Sequence, residues 1–170
     1  AKRWAQAIRR NPLREKLEEL ETAWDRKPRL HGWLSDYCRA KVTTADGIDI
    51  SDYVREVGAR WVVSAVARSM QPGCKADCML VIEGAQGARK SSAVRALAEA
   101  LGEDYFREGF HLGGGKDDRI ALRGRLVVEW AELSGLSKRD HNEIKNFLSL
   151  QSDSYRGVFG VLEADWPRTA

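Results

Sequence analysis

Cysteine, proline and methionine are scarce in this sequence of 170 residues, which holds three Cys, four Pro and two Met. Three cysteines are too few for a disulfide-stapled fold, and their odd number favours a reducing compartment. Cys74 and Cys78 lie close together, but a structural zinc site needs four ligands and no second pair exists. Four prolines exclude a proline-rich or collagen-like chain. The sequence therefore indicates a globular protein with free thiols.

Long apolar runs are also missing. No run approaches the length of about 20 residues that a membrane-spanning helix needs, and no signal peptide opens the chain. We expect a cytoplasmic protein that has no membrane partner. The net charge is only +3, yet residues 1–30 hold nine Lys and Arg against five Asp and Glu. Such a basic segment can meet phosphates, and a solvated helix face explains the same charges.

The first part of the chain has the pattern of helices. Asn11 followed by Pro12 is a strong helix start, because Asn caps a free N–H and Pro loses nothing at the first helical position. A short helix is predicted around residues 30–37, and a longer one, capped by Ser51, should run to residue 70. A Gln-Pro-Gly sequence then ends the helical pattern. We therefore place a helical collar over residues 1–72 and a second region over residues 73–170.

The second region has a different pattern. Residues 79–82 form a short apolar run that is typical of a strand buried on both faces of a parallel sheet. A glycine-containing turn, a helix over residues 92–101, a second buried strand over 126–128 and a helix over 138–150 follow. This order predicts an α/β fold with a parallel sheet, preceded by a helical N-terminal region.

A phosphate-binding loop is predicted between the first strand and its helix. The usual loop has Gly, four residues, Gly-Lys and then Ser or Thr. Its turn aims backbone N–H groups into one concavity, and the helix N-terminus adds a positive dipole. We expect Lys90 to reach the β- and γ-phosphates of ATP and Ser91 to bind Mg²⁺. The candidate nucleotide-binding residues are Gly84, Ala85, Gln86, Gly87, Ala88, Arg89, Lys90, Ser91 and Ser92.

Arg89 replaces the glycine that usually precedes the lysine of this loop. In one interpretation the backbone at Arg89 is near-helical, because the helix begins at once, and the side chain points to solvent or to a neighbouring subunit. In the other, Arg89 occupies the phosphate site as an internal cation and blocks nucleotide. We expect the first.

Two glutamates follow the second predicted strand. An acidic residue at the carboxyl end of that strand can act on Mg²⁺, and a second one can orient the attacking water. Glu129 fits the first role, as a metal-site partner of Ser91, and Glu132 fits the second. Glu132 has an equally simple alternative, in which it caps or pairs on the surface. The candidate catalytic residues are therefore Lys90, Glu129 and Glu132.

Several motifs in chain order carry a family resemblance, among them Gln71-Pro-Gly-Cys-Lys, Lys116-Asp-Asp, Leu122-Arg-Gly, Val128-Glu-Trp-Ala-Glu-Leu and Ser154-Tyr-Arg. Together they resemble the virulence-associated protein E family, P-loop ATPases similar to the superfamily-3-like or AAA+-like part of phage and mobile-element primase-helicases. The resemblance implies a P-loop NTPase core, ATP and Mg²⁺ as cofactors, single-stranded DNA as partner, and a homo-oligomeric ring. It also implies a fragment that stops before the strand with the polar sensor residue.

The function that we expect is therefore that of an ATP-hydrolysing motor core of a DNA helicase or primase-helicase, working in a bacterial cell or a phage-infected host. A small-molecule kinase is a rival enzyme, but the sequence shows no acceptor pocket. A DNA-binding or assembly module with a degenerate nucleotide site is the non-enzymatic alternative, and Arg89 is the feature that favours it.

Overall fold

The computed structural model describes residues 11–111, 115–130, 138–156 and 163–170. Its α-helices in these ranges are α1 (Pro12–Ala23), α2 (Trp33–Asp36), α3 (Ser51–Met70), α4 (Lys90–Glu99), α5 (Lys116–Ala121) and α6 (Lys138–Ser149). Its strands there are β1 (Phe106–Arg107), β2 (Val127–Val128), β3 (Ser152–Arg156) and β4 (Glu163–Pro167). A 3₁₀ turn, Glu103–Tyr105, leads into β1.

The N-terminal helices follow the predicted pattern, with one correction at Ser51. Ser51 is the first residue of α3, and its side chain does not cap that helix. Instead, the Asp49 carboxylate accepts a hydrogen bond from the backbone N–H of Ser51 at 2.8 Å. An upstream carboxylate therefore accepts a hydrogen bond from one of the N–H groups that have no helical partner at the start of α3.

The short helix α2 lies against the middle of α3. A Cβ placed on Gly58 would lie 2.8 Å from Leu34 Cδ1 and 2.9 Å from Trp33 Nε1. Such distances leave no room for a side chain, so Gly58 permits the close approach of the two helices. The Trp33 ring also stacks on Trp61, with 5.8 Å between centroids.

A hydrophobic cluster joins elements from both parts of the chain. Its buried members are Leu13, Ala98, Leu101, Phe106, Leu126 and Val127. The partly buried Trp61 and Ala65 of α3 pack against it. The helices α1, α3 and α4 therefore share a core with β1 and β2. The division at residues 72 and 73 stays a prediction.

The sheets are small. β1 and β2 form a parallel pair, and β3 and β4 form an antiparallel pair. The strand predicted for residues 79–82 does not form, and Val81 is 52% exposed. A strand of the buried parallel type needs both of its faces covered, and this segment lacks that cover. The parallel partner of β2 is instead β1, a two-residue strand that the sequence pattern did not predict.

None of the helices in the described ranges has the length and hydropathy to cross a membrane.

Candidate functional site

The predicted phosphate loop lies between residues 79–83, which form neither helix nor strand, and the first turn of α4. The loop turns through Gly87, whose φ is +78°, and the Ala88 N–H donates to the Ala85 carbonyl oxygen at 3.3 Å. All loop residues from 84 to 89 are exposed, so a ligand can reach the turn. The backbone N–H groups of the first turn of α4, which have no partner within the helix, lie at its N-terminal end, next to this loop.

Arg89 differs from the near-helical prediction. Its φ of +59° and ψ of +30° place it in the left-handed region, directly before α4. This is the conformation that favours glycine, which explains why the usual loop has glycine at this position. The side chain is exposed and makes no hydrogen bond or ion pair with the part of the chain that the structure describes. That exposure agrees with a side chain that points outward.

Lys90, the first residue of α4, reaches back over the loop. Its ammonium donates hydrogen bonds to the carbonyl oxygens of Gly84 and Ala85, both at 2.9 Å. A Lys ammonium has three donors, so these two contacts leave one for another acceptor. Lys90 therefore lies at the loop that would hold a phosphate.

Ser91 and Glu129 are in direct contact, although 38 residues separate them in the sequence. The Ser91 hydroxyl donates to the Glu129 carboxylate, which links the start of α4 to the end of β2. The Glu129 backbone is held as well, since its N–H donates to the Arg107 carbonyl oxygen at 2.7 Å. The structure thus brings together the two residues that the sequence proposed for Mg²⁺.

The remaining predicted residues divide into two groups. Gln86 lies exposed in the turn of the loop, and Ser92 lies exposed in the first turn of α4. Glu132, predicted to orient the attacking water, lies outside the described residues.

The sequence reasoning missed an ion pair on α4. Arg95 donates from its guanidinium to the carboxylate of Glu108, the residue that directly follows β1. Arg95 lies four residues after Ser91 and thus on the same helix face, but this spacing does not identify Glu108 as its partner. The strand before Glu108 is only two residues long, which is too short for a hydrophobic period to show.

The residues of the site fit a nucleotide with Mg²⁺. A hydroxyl and a carboxylate are oxygen ligands of the kind that Mg²⁺ prefers. Mg²⁺ is commonly bound by one or two protein groups together with substrate phosphates, rather than by an all-protein cage. The described residues contain no cluster of three or more His, Cys, Asp or Glu side chains that could form such a cage. Lys90 and the start of α4 supply the positive charge that phosphates require.

The basic N-terminal segment is largely neutralised where the structure describes it. Three cations of residues 11–30 form ion pairs: Arg14 with Glu18 at 2.8 Å, Lys16 with Glu19 at 2.7 Å, and Arg29 with Asp25 at 2.6 Å. Hydrogen bonds from Arg29, together with one from the Lys27 N–H, lower the pKa of Asp25 to about 2. The described part of this segment therefore fits a solvated face better than a phosphate-binding patch.

Comparison with known proteins gives a family assignment. No curated protein matches this chain with significance. A family model described as the virulence-associated protein E-like domain matches residues 17–170. This match covers most of the chain and includes the loop, α4, β2 and both strands that follow. The chain therefore belongs to the virulence-associated protein E-like family.

Proposed function

We propose that this chain is the ATP-binding core of a DNA motor, of the helicase or primase-helicase type, that serves a phage or mobile element. Membership in the virulence-associated protein E-like family supports the association with such elements. DNA, preferably single-stranded, is the proposed partner, and a homo-oligomeric ring is the proposed assembly. Both follow from the family resemblance.

The observation that carries the proposal is the contact between Ser91 and Glu129 beside the Lys90 loop. One end of α4 thereby meets the carboxyl end of β2, with a hydroxyl and a carboxylate in contact and an ammonium at the adjacent turn. The parallel β1–β2 pair is in contact with α4, and this supports a core of the P-loop NTPase type.

The proposed chemistry is transfer of the γ-phosphoryl group of ATP to water. Lys90 would exchange a loop carbonyl contact for a phosphate oxygen and neutralise developing charge. Ser91 and Glu129 would hold Mg²⁺, which supplies further charge neutralisation when it is bound. The first-turn N–H groups of α4 would bind phosphate oxygens.

Lys90→Ala tests the loop. We expect the affinity for Mg²⁺-ATP, measured by calorimetry, to fall at least about tenfold, because one charge-assisted contact is worth about 1.5–3 kcal/mol. Lys75→Ala is the matched control, since Lys75 carries the same charge on a side chain that is 72% exposed and lies outside the loop. Unchanged affinity in a folded Lys90→Ala variant contradicts the site.

A second candidate function rests on Arg89. A non-glycine residue in left-handed backbone at the glycine position favours a DNA-binding or assembly module with a degenerate nucleotide site. ATP hydrolysis with and without a single-stranded oligonucleotide distinguishes the candidates. Stimulated hydrolysis supports the motor, DNA binding without turnover supports the module, and phosphorylation of a small acceptor supports a kinase.

A further inference from the structure

Glu108 lies next to Glu129 at the carboxyl edge of the parallel pair. The register places Phe106 opposite Val127 and Arg107 opposite Val128, so Glu108 and Glu129 are the next two residues in register. The Glu129 N–H still donates to the Arg107 carbonyl oxygen at 2.7 Å, so the ladder extends to this point. Neighbouring strands lie about 4.8 Å apart, which makes the two glutamates close neighbours.

Both carboxylates are fastened to the same helix. Ser91 of α4 donates to Glu129, and Arg95, one turn later, donates to Glu108. Ser91 and Arg95 are four residues apart, which is a rise of about 6 Å along the helix. They therefore lie one above the other on one face of α4. Arg95 also lies over the ring of Phe106, 4.8 Å from its centroid. The guanidinium is thus fixed by β1 as well as by Glu108.

The two glutamates differ in their surroundings. The Glu129 carboxylate is half-buried and already in contact with the Ser91 hydroxyl. The Glu108 side chain is 64% exposed, so water reaches its carboxylate freely. Access to water and a place beside the carboxylate that contacts Ser91 are what a group that orients an attacking water needs.

We propose that Glu108 is the second carboxylate of the site and orients the water that attacks ATP. This role rests on the proposed ATPase function. In the step, the water oxygen forms a bond to the γ-phosphorus while the bond from that phosphorus to the β,γ-bridging oxygen breaks. The electron pair of the broken bond stays with ADP. One proton of the water moves to the Glu108 carboxylate and then to solvent.

Glu108→Gln tests the role, because it keeps the shape and the hydrogen-bonding ability but removes the base. We expect kcat for ATP to fall at least about 100-fold, which is the lower end of the contribution of a general base. The dissociation constant for Mg²⁺-ATP should stay within about threefold, since water orientation is not a ground-state contact with nucleotide. Binding of ADP with aluminium fluoride, which mimics the transferring phosphoryl group, should weaken in parallel with kcat.

Glu99→Gln is the matched control. Glu99 is a further carboxylate near Arg95, at 3.7 Å, and it lies at the end of α4 that is far from the loop. We expect this variant to hydrolyse ATP at the unsubstituted rate. An equal loss of kcat in Glu99→Gln would show that the ion pairs of Arg95 act only on the structure, and it would overturn the proposal.

Glu132→Gln, measured in parallel, separates the two candidate glutamates. Normal turnover by Glu108→Gln together with loss of turnover by Glu132→Gln assigns the water to Glu132 and overturns the role of Glu108. An unsubstituted chain that binds Mg²⁺-ATP but does not hydrolyse it, with or without single-stranded DNA, overturns the proposed function itself, and the role of Glu108 with it.

Discussion

Arg89 is the residue at which this chain departs most from the usual phosphate loop. A left-handed backbone brings the Cβ of an L-residue close to the following carbonyl oxygen, at a cost of about 1–2 kcal/mol. The Arg89 side chain offers no compensation among the described residues, because it is exposed and makes no hydrogen bond or ion pair with them. The strain at this position is therefore retained in the folded protein and should be released by glycine.

Arg89→Gly should raise the free energy of unfolding by up to about 1 kcal/mol, because the relief of strain is partly offset by the greater freedom of glycine in the unfolded chain. Urea unfolding measures this change. The affinity for Mg²⁺-ATP should change less than about tenfold, since the side chain is exposed and forms no hydrogen bond or ion pair with the described part of the loop.

Arg89→Ala is the control for this comparison, because it removes the guanidinium but keeps the Cβ and its strain. We expect its stability to stay within about 0.5 kcal/mol of the unsubstituted protein. If ATP binding appeared only after the guanidinium was removed, Arg89 would be a blocking cation, and the degenerate-site module would replace the motor.

At the scale of elements, Asn11 holds α1 in two ways. Its Oδ1 accepts from the Arg14 N–H at 3.1 Å, which caps the helix, and its Nδ2 donates to the Ser69 carbonyl oxygen at 2.9 Å. Ser69 is fully buried near the end of α3. The same side chain therefore starts one helix and attaches it to another, next to the core residue Leu13.

Asn11→Ala should lower the free energy of unfolding by about 1–3 kcal/mol, since it removes a cap worth about 0.5–2 kcal/mol and a hydrogen bond worth about 0.5–1.5 kcal/mol. Asn11→Ser is the matched variant, because serine caps equally well but lacks the amide that donates to Ser69. Chemical denaturation of both variants separates the two contributions. Equal losses would show that the cap itself contributes nothing.

At the scale of the whole molecule, Arg168 connects the end of β4 to the rest of the fold. It forms a bidentate pair with Asp153 of β3, with both distances 2.7 Å, and both residues are only 4–5% exposed. Its guanidinium also donates to the Phe147 carbonyl oxygen at 2.6 Å and lies 4.0 Å from the centre of that ring. One buried cation thus joins α6, β3 and the residues after β4.

A second buried arginine, Arg68, connects α3 to the segments that follow α3, α6 and β4. It donates to the carbonyl oxygens of Cys74, Leu150 and Ala170, at distances of 2.8–3.2 Å. Burial lowers the pKa of the Arg68 guanidinium, and the positive charge of Arg168 lowers it further. The three carbonyl dipoles offset part of the cost of burying this charge.

Arg168→Ala should lower the free energy of unfolding by about 3–5 kcal/mol, because it leaves the buried Asp153 carboxylate without a partner. Combining it with Asp153→Ala should recover part of that loss, so the two effects should not add. Thermal and urea unfolding check this expectation. Arg156→Ala, an exposed change on the same pair of strands, is the control and should stay within about 0.5 kcal/mol. A loss no larger than that of Arg156→Ala would contradict the importance of the pair.

The local sequence was sufficient where one element carries its own signal. The Asn11-Pro12 start, the end of α3 before Gly73 and the long helix near residues 138–150 follow from capping groups and helical periodicity. The spacing of Gly84, Lys90 and Ser91 likewise depends only on neighbours in the chain. The sequence predicted a loop followed by a helix from residue 92, and the observed helix begins two residues earlier, at Lys90.

The tertiary structure decided every feature that depends on pairing between distant segments. The apolar run at residues 79–82 has the composition of a buried strand, but a strand exists only where other chain segments cover it, and Val81 stays exposed. The two residues of β1 became a strand only because β2 lies beside them. Arg95 met Glu108, and Asp153 met Arg168, because the fold brought them together. Side-chain pairs of this kind leave no periodic trace, so sequence alone named the candidate residues and the fold selected their partners.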